Sequence, residues 1–372
     1  MKKALVVCHM GRHYRKFGHY DIKPLQGLGY EVHFAANFSL DIDRVKDDSI
    51  ILHQVDFVRF PFALKNLKAY KQIKNIIRFG DYDLIHCQSP VGGVLTRLAL
   101  KNVKIKNVKI IYTAHGFHFY RGAPLIYWLL FYPLEKYLSK YTDTLITINK
   151  EDYDLAKRKF KKCMDIRYVP GVGINLRKFD FMITKTEKQN LRTSIGLKND
   201  DFVLIYVAEL SKRKNQLWLI NTVNKLIKED KSIHLLLVGN DAYNQKCQKL
   251  IDKLGINTNI HVLGQRNDVS KLLKISNLSV SSSRQEGLPV HVMESFACGL
   301  PVVVLNCRGM NDLIIEGKNG YIVNDEESFI NKVRYLKNNK EFIKRISKNN
   351  IKMSCNYGVI NIVRIMNKIF KL

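Results

Sequence analysis

Short apolar runs alternate with stretches of helical character along the whole chain, and this alternation constrains the fold more than any other feature. Seven runs fill the first half: Ala4–Met10, Tyr30–Ala36, Ile50–Phe57, Asp83–Gln88, Lys109–Ala114, Thr144–Ile148 and Arg167–Val169. A break follows at Pro170-Gly171-Val172-Gly173, then a polar stretch from Thr184 to Asp201. Six further runs start afresh: Phe202–Ala208, His234–Val238, Ile260–Leu263, Leu278–Ser282, Pro301–Leu305 and Tyr321–Val323. Two doubly wound α/β domains joined near residues 175–200 fit this pattern better than one sheet of thirteen strands. The length of 372 residues agrees, since domains of roughly 150–200 residues bury a sizeable core. The tail from Phe342 to Leu372 reads as helix broken near Asn356-Tyr357-Gly358.

In open parallel sheets, ligands bind beyond the carboxyl ends of the strands. The residues there are polar, basic or glycine: His9-Met10-Gly11-Arg12, His115-Gly116-Phe117-His118, Glu209-Leu210-Ser211-Lys212-Arg213-Lys214, Gly239-Asn240, Gly264-Gln265-Arg266 and Ser283-Arg284-Gln285-Glu286-Gly287. Two such edges facing each other would form a cleft.

The balance of 61 Lys+Arg against 33 Asp+Glu gives a net charge of +28. That excess fits either a polyanionic partner or a surface of solvated lysines. Lys65, Lys68, Lys71, Lys74 and Arg78 recur every three or four residues among apolar ones. They predict a basic amphipathic helix, open to anionic lipid or to water alone. The run Leu125–Leu134 reads as a core helix. Seven scattered cysteines without a C-x-x-C pair argue for reduced thiols and against a zinc site. The apolar run after Met1-Lys2-Lys3 is too short for a signal peptide, and no stretch suits a bilayer span. No basic-aromatic recognition module supports nucleic-acid binding.

The richest segment runs from Ser282 to Pro301. Pro289 suits the first position of a helix, leaving the amides of Gly287 and Leu288 free for a phosphate oxygen. Glu286 precedes the helix and Glu294 lies inside it. The two acids suit three roles. They could receive ligand hydroxyls. They could be a helix-capping acid and a buried Glu paired to Arg284. They could also form a glycosidase pair, which needs carboxylates roughly 5–9.5 Å apart.

Glu286 and Glu294 form an E-x7-E, followed by A-x-G-x-P-V at Ala297 to Val302, and this resembles glycosyltransferase family 4. The stretches Asp83 to Pro90, Tyr112 to Pro124, Ile146 to Tyr153, Pro170 to Gly173 and Arg308-Gly309 resemble its bacterial capsule, exopolysaccharide and O-antigen branch. The resemblance implies a GT-B fold, in which two Rossmann-like domains face each other across a cleft. Residues 1–180 would bind the acceptor and 181–355 the nucleotide sugar, with 356–372 a helix returning to the first domain. It implies retaining, metal-independent sugar transfer. Glu286 would bind donor-sugar hydroxyls and Glu294 the ribose. Gly287, Leu288 and Pro289 would line the sugar and diphosphate, Lys214 would neutralise the leaving diphosphate, and His115 would steady charge at the anomeric carbon. Gly11, Arg213, Gly239, Gly264, Arg266 and Arg308 complete the expected donor site, and His86 and His118 read as packing residues. Glu209 stands where many members carry Arg, so it is expected to bind a hydroxyl or a neighbouring Arg.

Neither Asp41-Ile42-Asp43 nor Asp81-Tyr82-Asp83 stands where a donor-site metal would be held; both read as surface turns. The expected acceptor is a lipid-diphosphate-linked saccharide at the inner face of the cell membrane, which makes the chain a peripheral cytoplasmic enzyme. A GT-B-like phosphorylase or a nucleotide-sugar epimerase is the alternative.

Overall fold

The computed structural model describes residues 1–39, 45, 48–60, 63–103 and 107–371. Among them, seven strands form a first sheet: β1 (Lys3–Val7), β2 (Glu31–Ala36), β3 (Ile50–Gln54), β4 (Leu84–Gln88), β5 (Lys109–Ala114), β6 (Thr144–Thr147) and β7 (Asp165–Tyr168). Six more form a second: β8 (Phe202–Val207), β9 (Ile233–Val238), β10 (Ile260–Gly264), β11 (Leu278–Ser281), β12 (Val302–Leu305) and β13 (Gly320–Val323). The spatial orders are β3-β2-β1-β4-β5-β6-β7 and β10-β9-β8-β11-β12-β13. All pairings are parallel, with Val6 between Phe34 and His86, and Leu204 opposite Leu278.

Each expected strand is present, with its ends moved by at most three residues. β1 stops at Val7, although the Cys8 amide still bonds Ala35 O (3.1 Å). β12 starts at Val302 because Pro301 has no N–H for the ladder. Helices cover the sheets, so central strands such as β4 are buried along their whole length. Leu5, Val7, Ile85 and Tyr112 anchor the first core, and Leu204, Tyr206, Leu235 and Val303 the second.

Two compact units result: Met1–Gly173 with Val359–Leu372, and Ile174–Gly358. The exchange points lie a few residues from the expected boundaries after 180 and 355. Ile174 and Gly358 pair as an isolated bridge, and the Ile174 amide donates to Tyr357 O (2.8 Å). The tail breaks as expected, between helices Lys340–Ser354 and Val359–Lys371. The last helix buries Ile362, Met366, Ile369 and Phe370 within the first unit.

One expectation is overturned. Helix Leu125–Leu138 is not a core helix: Leu125 is 80% exposed and Leu129 71%, and Ile126 and Leu130 are exposed too. Only Glu135 and Leu138 are fully buried. Its apolar residues surround the helix instead of forming one stripe, so packing one side leaves the rest outside. The basic helix spans Asn66–Gly80, burying Ala69, Ile73 and Ile77. Lys65, Lys68, Lys71 and Arg78 are exposed, and Lys74 is half-buried. All seven cysteines are free thiols.

Candidate active site

Both sheets reverse their strand order beside their first strand, between β1 and β4 and between β8 and β11. Loops leaving the carboxyl ends of two such strands diverge and leave a crevice.

In the second unit these loops carry the predicted charged residues. The Arg284 amide donates to Arg213 O (3.0 Å), and Ser282 Oγ donates to Lys214 O (2.9 Å), which ties the loop after β8 to the loop after β11. The Lys214 ammonium then reaches Glu286 Oε1 (2.5 Å), and Arg213 reaches Oε2 (3.3 Å). Ser283 Oγ donates to Glu286 Oε1 (2.6 Å) and is itself within 2.7 Å of the Tyr206 hydroxyl. Glu286 and Lys214 are 7% and 8% exposed, so water screens them weakly. Burial pushes the Glu286 carboxyl up, but Lys214, His291 and Arg213 together hold it below the ordinary carboxylate range. The carboxylate is therefore ionised beside a lysine and an arginine.

Pro289 is the residue before the first helical turn, with ψ of 113°, and the helix proper is Val290–Ala297. This corrects its expected place by one residue. The first amides of any helix lack carbonyl partners within it, so this end favours an anion. Arg308 is buried beside it and donates from Nε to Glu286 O (3.3 Å). Gly309 has φ of 84°, and a Cβ there would lie 2.4 Å from Gly287 O. Only glycine lets the loop after β12 lie against the turn at Gly287. Glu294 is half-buried; burial raises its carboxyl to about 7, which Lys178 only partly opposes. Arg284 bonds Asn215 Oδ1 (3.1 Å), and among the described residues it makes no ion pair with Glu294.

The remaining predicted residues of this unit sit further out. Gly239, after β9, has φ of 154°, and a Cβ there would lie 2.1 Å from Ala208 O. Its bareness lets two strand-end loops touch. Glu209 is exposed, and its carboxylate forms no ion pair among the described residues, so the expected Arg partner is not found. Its carbonyl accepts from Gln216 Nε2 (2.9 Å). Gly264 and Arg266 end the edge strand β10, where Asp268 grips the Arg266 guanidinium at 2.8 and 2.7 Å. That guanidinium is already satisfied. The sequence reading missed His291, on the first turn of the helix, whose buried Nε2 has no hydrogen-bond partner. Burial, then Lys214, push its imidazole down to about 3.

The switch point of the first unit is built differently. Gly11 is buried in the loop after β1, its amide bonded to Asn37 O (2.9 Å). His115 follows β5, and its Nε2 lies 2.8 Å from Gln88 Oε1. Tyr20 also donates to Gln88 Oε1 (2.6 Å), and Gln88 Nε2 donates to Asp21 Oδ2. His13 Nε2 donates to the same Asp21 oxygen (2.7 Å). Burial, with His13 and His86 nearby, pushes His115 down to about 3, so it is neutral near pH 7. Sequence alone did not single out His13, Tyr20, Asp21 or Gln88. The only signal was the position of Gln88 at the carboxyl end of β4. His86 bonds Thr113 Oγ1 (2.8 Å), and His118 stacks on Phe131 with centroids 4.5 Å apart. A cavity of about 220 Å³ beside His115 is lined by Ser89, Tyr112, His118, Phe119 and Phe131.

Asp81-Tyr82-Asp83 lies at the opposite, amino edge of the first sheet. There Asp83 accepts the Lys3 amide (2.7 Å) and Tyr82 is buried. Asp41-Ile42-Asp43 lies outside the described residues. Among the described residues, no group of three or more His, Cys, Asp or Glu could hold a metal ion.

Two parallel-sheet units, with an anion-favouring helix start at one switch point, suit a protein that handles a phosphate-bearing ligand, and comparison supplies the family. Residues 22–172 match the profile "Glycosyltransferase Family 4" and residues 187–353 match "Glycosyl transferases group 1". The protein named "Putative glycosyltransferase EpsD" of Bacillus subtilis (strain 168) is 35% identical over 371 residues, covering 99% of this chain and 96% of that protein. The chain belongs to glycosyltransferase family 4. The UDP-Gal:alpha-D-GlcNAc-diphosphoundecaprenol alpha-1,3-galactosyltransferase of Escherichia coli is 27% identical, covering 83% of this chain and 79% of that one. Among solved structures, Anabaena HepE in complex with UDP and glucose superposes with a TM-score of 0.80 at 16% identity, both chains covered fully. WaaG, a glycosyltransferase involved in lipopolysaccharide biosynthesis, superposes at 0.75 and 18%, covering 98% and 99%. The fold is GT-B.

Proposed function

We propose that this glycosyltransferase moves a sugar from a nucleotide diphosphate sugar to a hydroxyl of a lipid-diphosphate-linked saccharide, retaining anomeric configuration. The observation that carries the reading is Glu286, buried and ionised between Lys214 and Arg213 at the start of helix Val290–Ala297. A diphosphate seated at that helix start meets amides, Lys214 and Arg308. As the bond from the anomeric carbon breaks, its electron pair goes to the diphosphate, where preorganised positive charge stabilises it. Glu286 then holds sugar hydroxyls, and Glu294 holds the ribose. The acceptor oxygen bonds the anomeric carbon, and its proton passes to the departing phosphate. In this reading lysine, arginine and amides do the work of a metal.

UDP is the first donor to test, because the Escherichia coli relative is named for UDP-Gal and HepE was solved with UDP-glucose. The lipid-linked acceptor follows the diphosphoundecaprenol in that relative's name. Two features of the first unit suit a cytoplasmic membrane surface: the exposed Leu125, Ile126, Leu129 and Leu130, and the basic residues Lys65, Lys68, Lys71, Lys74 and Arg78. Apolar insertion with anionic attraction is how a peripheral helix binds lipid. Among the described residues, no helix is long and apolar enough to cross a membrane.

A thermal-shift screen of UDP-, GDP-, ADP- and TDP-sugars should find one stabilising base. Nucleotide diphosphate release should require acceptor and survive EDTA. Release of sugar phosphate would indicate a phosphorylase, and acceptor-free conversion of the donor an epimerase. Loss of turnover in EDTA, restored by Mn²⁺, would overturn metal independence. Sedimentation with anionic liposomes should weaken with salt and with Leu129→Asp; no binding at low salt would remove the membrane role.

A further inference from the structure

The first unit holds a polar chain of His13, Asp21, Gln88 and Tyr20 that leads to His115, the residue expected to steady charge at the anomeric carbon. Its bonds determine which atoms donate. Asp21 is fully buried and accepts the Ile22 amide on Oδ1 (2.6 Å) and His13 Nε2 on Oδ2 (2.7 Å). Burial pushes its carboxyl up, but His13, His86 and the Ile22 amide bring it below the ordinary range, so it is an acceptor only. The Gln88 side chain touches that same Oδ2. Turning its amide over would press Oε1 against a carboxylate oxygen inside a low-dielectric core, which is strongly unfavourable. The amide nitrogen therefore faces Asp21, and Oε1 faces the other way.

That oxygen meets two groups, the Tyr20 hydroxyl (2.6 Å) and His115 Nε2 (2.8 Å). A carbonyl oxygen can only accept, so both must donate. His115 is neutral near pH 7 and carries a single ring proton, and that proton must sit on Nε2. Nδ1 is left with a lone pair, and among the described residues no protein group bonds it.

We infer that Asp21 and Gln88 are positioning residues that fix His115 in its Nε2–H form, so that Nδ1 presents a lone pair to the bound substrate. The inference rests on the proposed role of His115, but the protonation state itself is independent of that role. An unprotonated nitrogen can steady positive charge growing on a sugar ring or accept a hydroxyl proton; an N–H in its place would do neither. The order of control runs from an ionised acid, through an amide it orients, to an imidazole the amide orients.

The first test is nitrogen NMR of the unliganded full-length protein with labelled histidine, the His115 signals being identified by their loss in His115→Asn. The expected result is a protonated Nε2 and a bare Nδ1 at pH 7; a protonated Nδ1 would overturn the inference without touching the transferase reading. The second is kinetic. Gln88→Leu should lower kcat about tenfold or more with donor KM nearly unchanged. It should cost nothing further in a His115→Ala background, because both changes remove one device. Additive losses would mean that Gln88 acts elsewhere, and the inference would fail. Asp21→Asn removes the ionised acceptor that orients the Gln88 amide, so it should blur the Nε2–H signature as Gln88→Leu does; an unchanged signature in both would also count against the inference. Full activity of His115→Ala would refute the catalytic role of His115, and the NMR result would still decide its protonation.

Discussion

Two crevices of identical topology carry opposite chemistry. Beside β8 and β11 the strand ends supply formal charge: Lys214, Arg213, Arg308 and Glu286. Beside β1 and β4 they supply a hydrogen-bonded network around one acid: His13, Tyr20, Gln88 and His115 about Asp21. The sheet order decides where a crevice opens, and a few side chains at strand ends decide what it can bind. Charge suits a diphosphate. An oriented hydrogen-bond network suits a reacting carbon and an uncharged hydroxyl.

The largest expected effect breaks or upholds the charged half of this contrast. Lys214→Ala should lower turnover by about 100-fold or more, read as nucleotide release at saturating donor. Glu286→Ala should cost stability as well as turnover. It would strand the Lys214 ammonium, and losing one partner of a buried pair costs on the order of 3–5 kcal/mol. Glu286→Gln keeps a side chain of the same shape, so it should lose turnover with a smaller fall in Tm. Near-native rates in Lys214→Ala or Glu286→Gln would remove the assigned role.

A smaller effect sharpens the contrast through pH. Glu294 titrates near 7 in the fold against an ordinary 4.5. Between those values the native state holds a proton that the unfolded chain has released. Stability at this position is therefore present below about 4.5 and is lost as pH rises through 7. Glu294→Gln should raise the Tm of the ligand-free protein at pH 8 and leave it nearly unchanged at pH 4.5. Donor binding to the ionised carboxylate should strengthen with pH over the same range, by calorimetry, and Glu294→Gln should abolish that dependence. The smallest effect belongs at the sheet edge. Arg266→Ala should change donor KM less than about twofold, since Asp268 already occupies the guanidinium and an exposed pair contributes about 0.2–1 kcal/mol. A tenfold rise would move the donor site outward toward β10.

Legibility in the sequence followed distance along the chain. The thirteen strands were readable because buried parallel strands are nearly unbroken apolar runs. Glu286, Glu294 and the helix between them were readable because they share one short segment. Lys214 came only through family resemblance, and its pairing with a residue 72 positions away could not be read at all. Asp21 and Gln88 lie 67 positions apart, and only the placement of β1 beside β4 brings them together. Helix Leu125–Leu138 misled because composition reports apolarity without saying which sides find neighbours.

The last helix, Val359–Lys371, completes the first unit although the second unit intervenes in the chain. Phe370 packs edge-on to His86 (5.5 Å between centroids), and Lys109 reaches Ile369 O (2.8 Å). On the ribosome, β1 to β7 emerge long before their final cover does. Until all of Ile174–Gly358 has been synthesised, the first sheet must persist with part of its hydrophobic surface wet. Translation speed and chaperone supply should therefore govern yield more strongly than the stability of either finished unit.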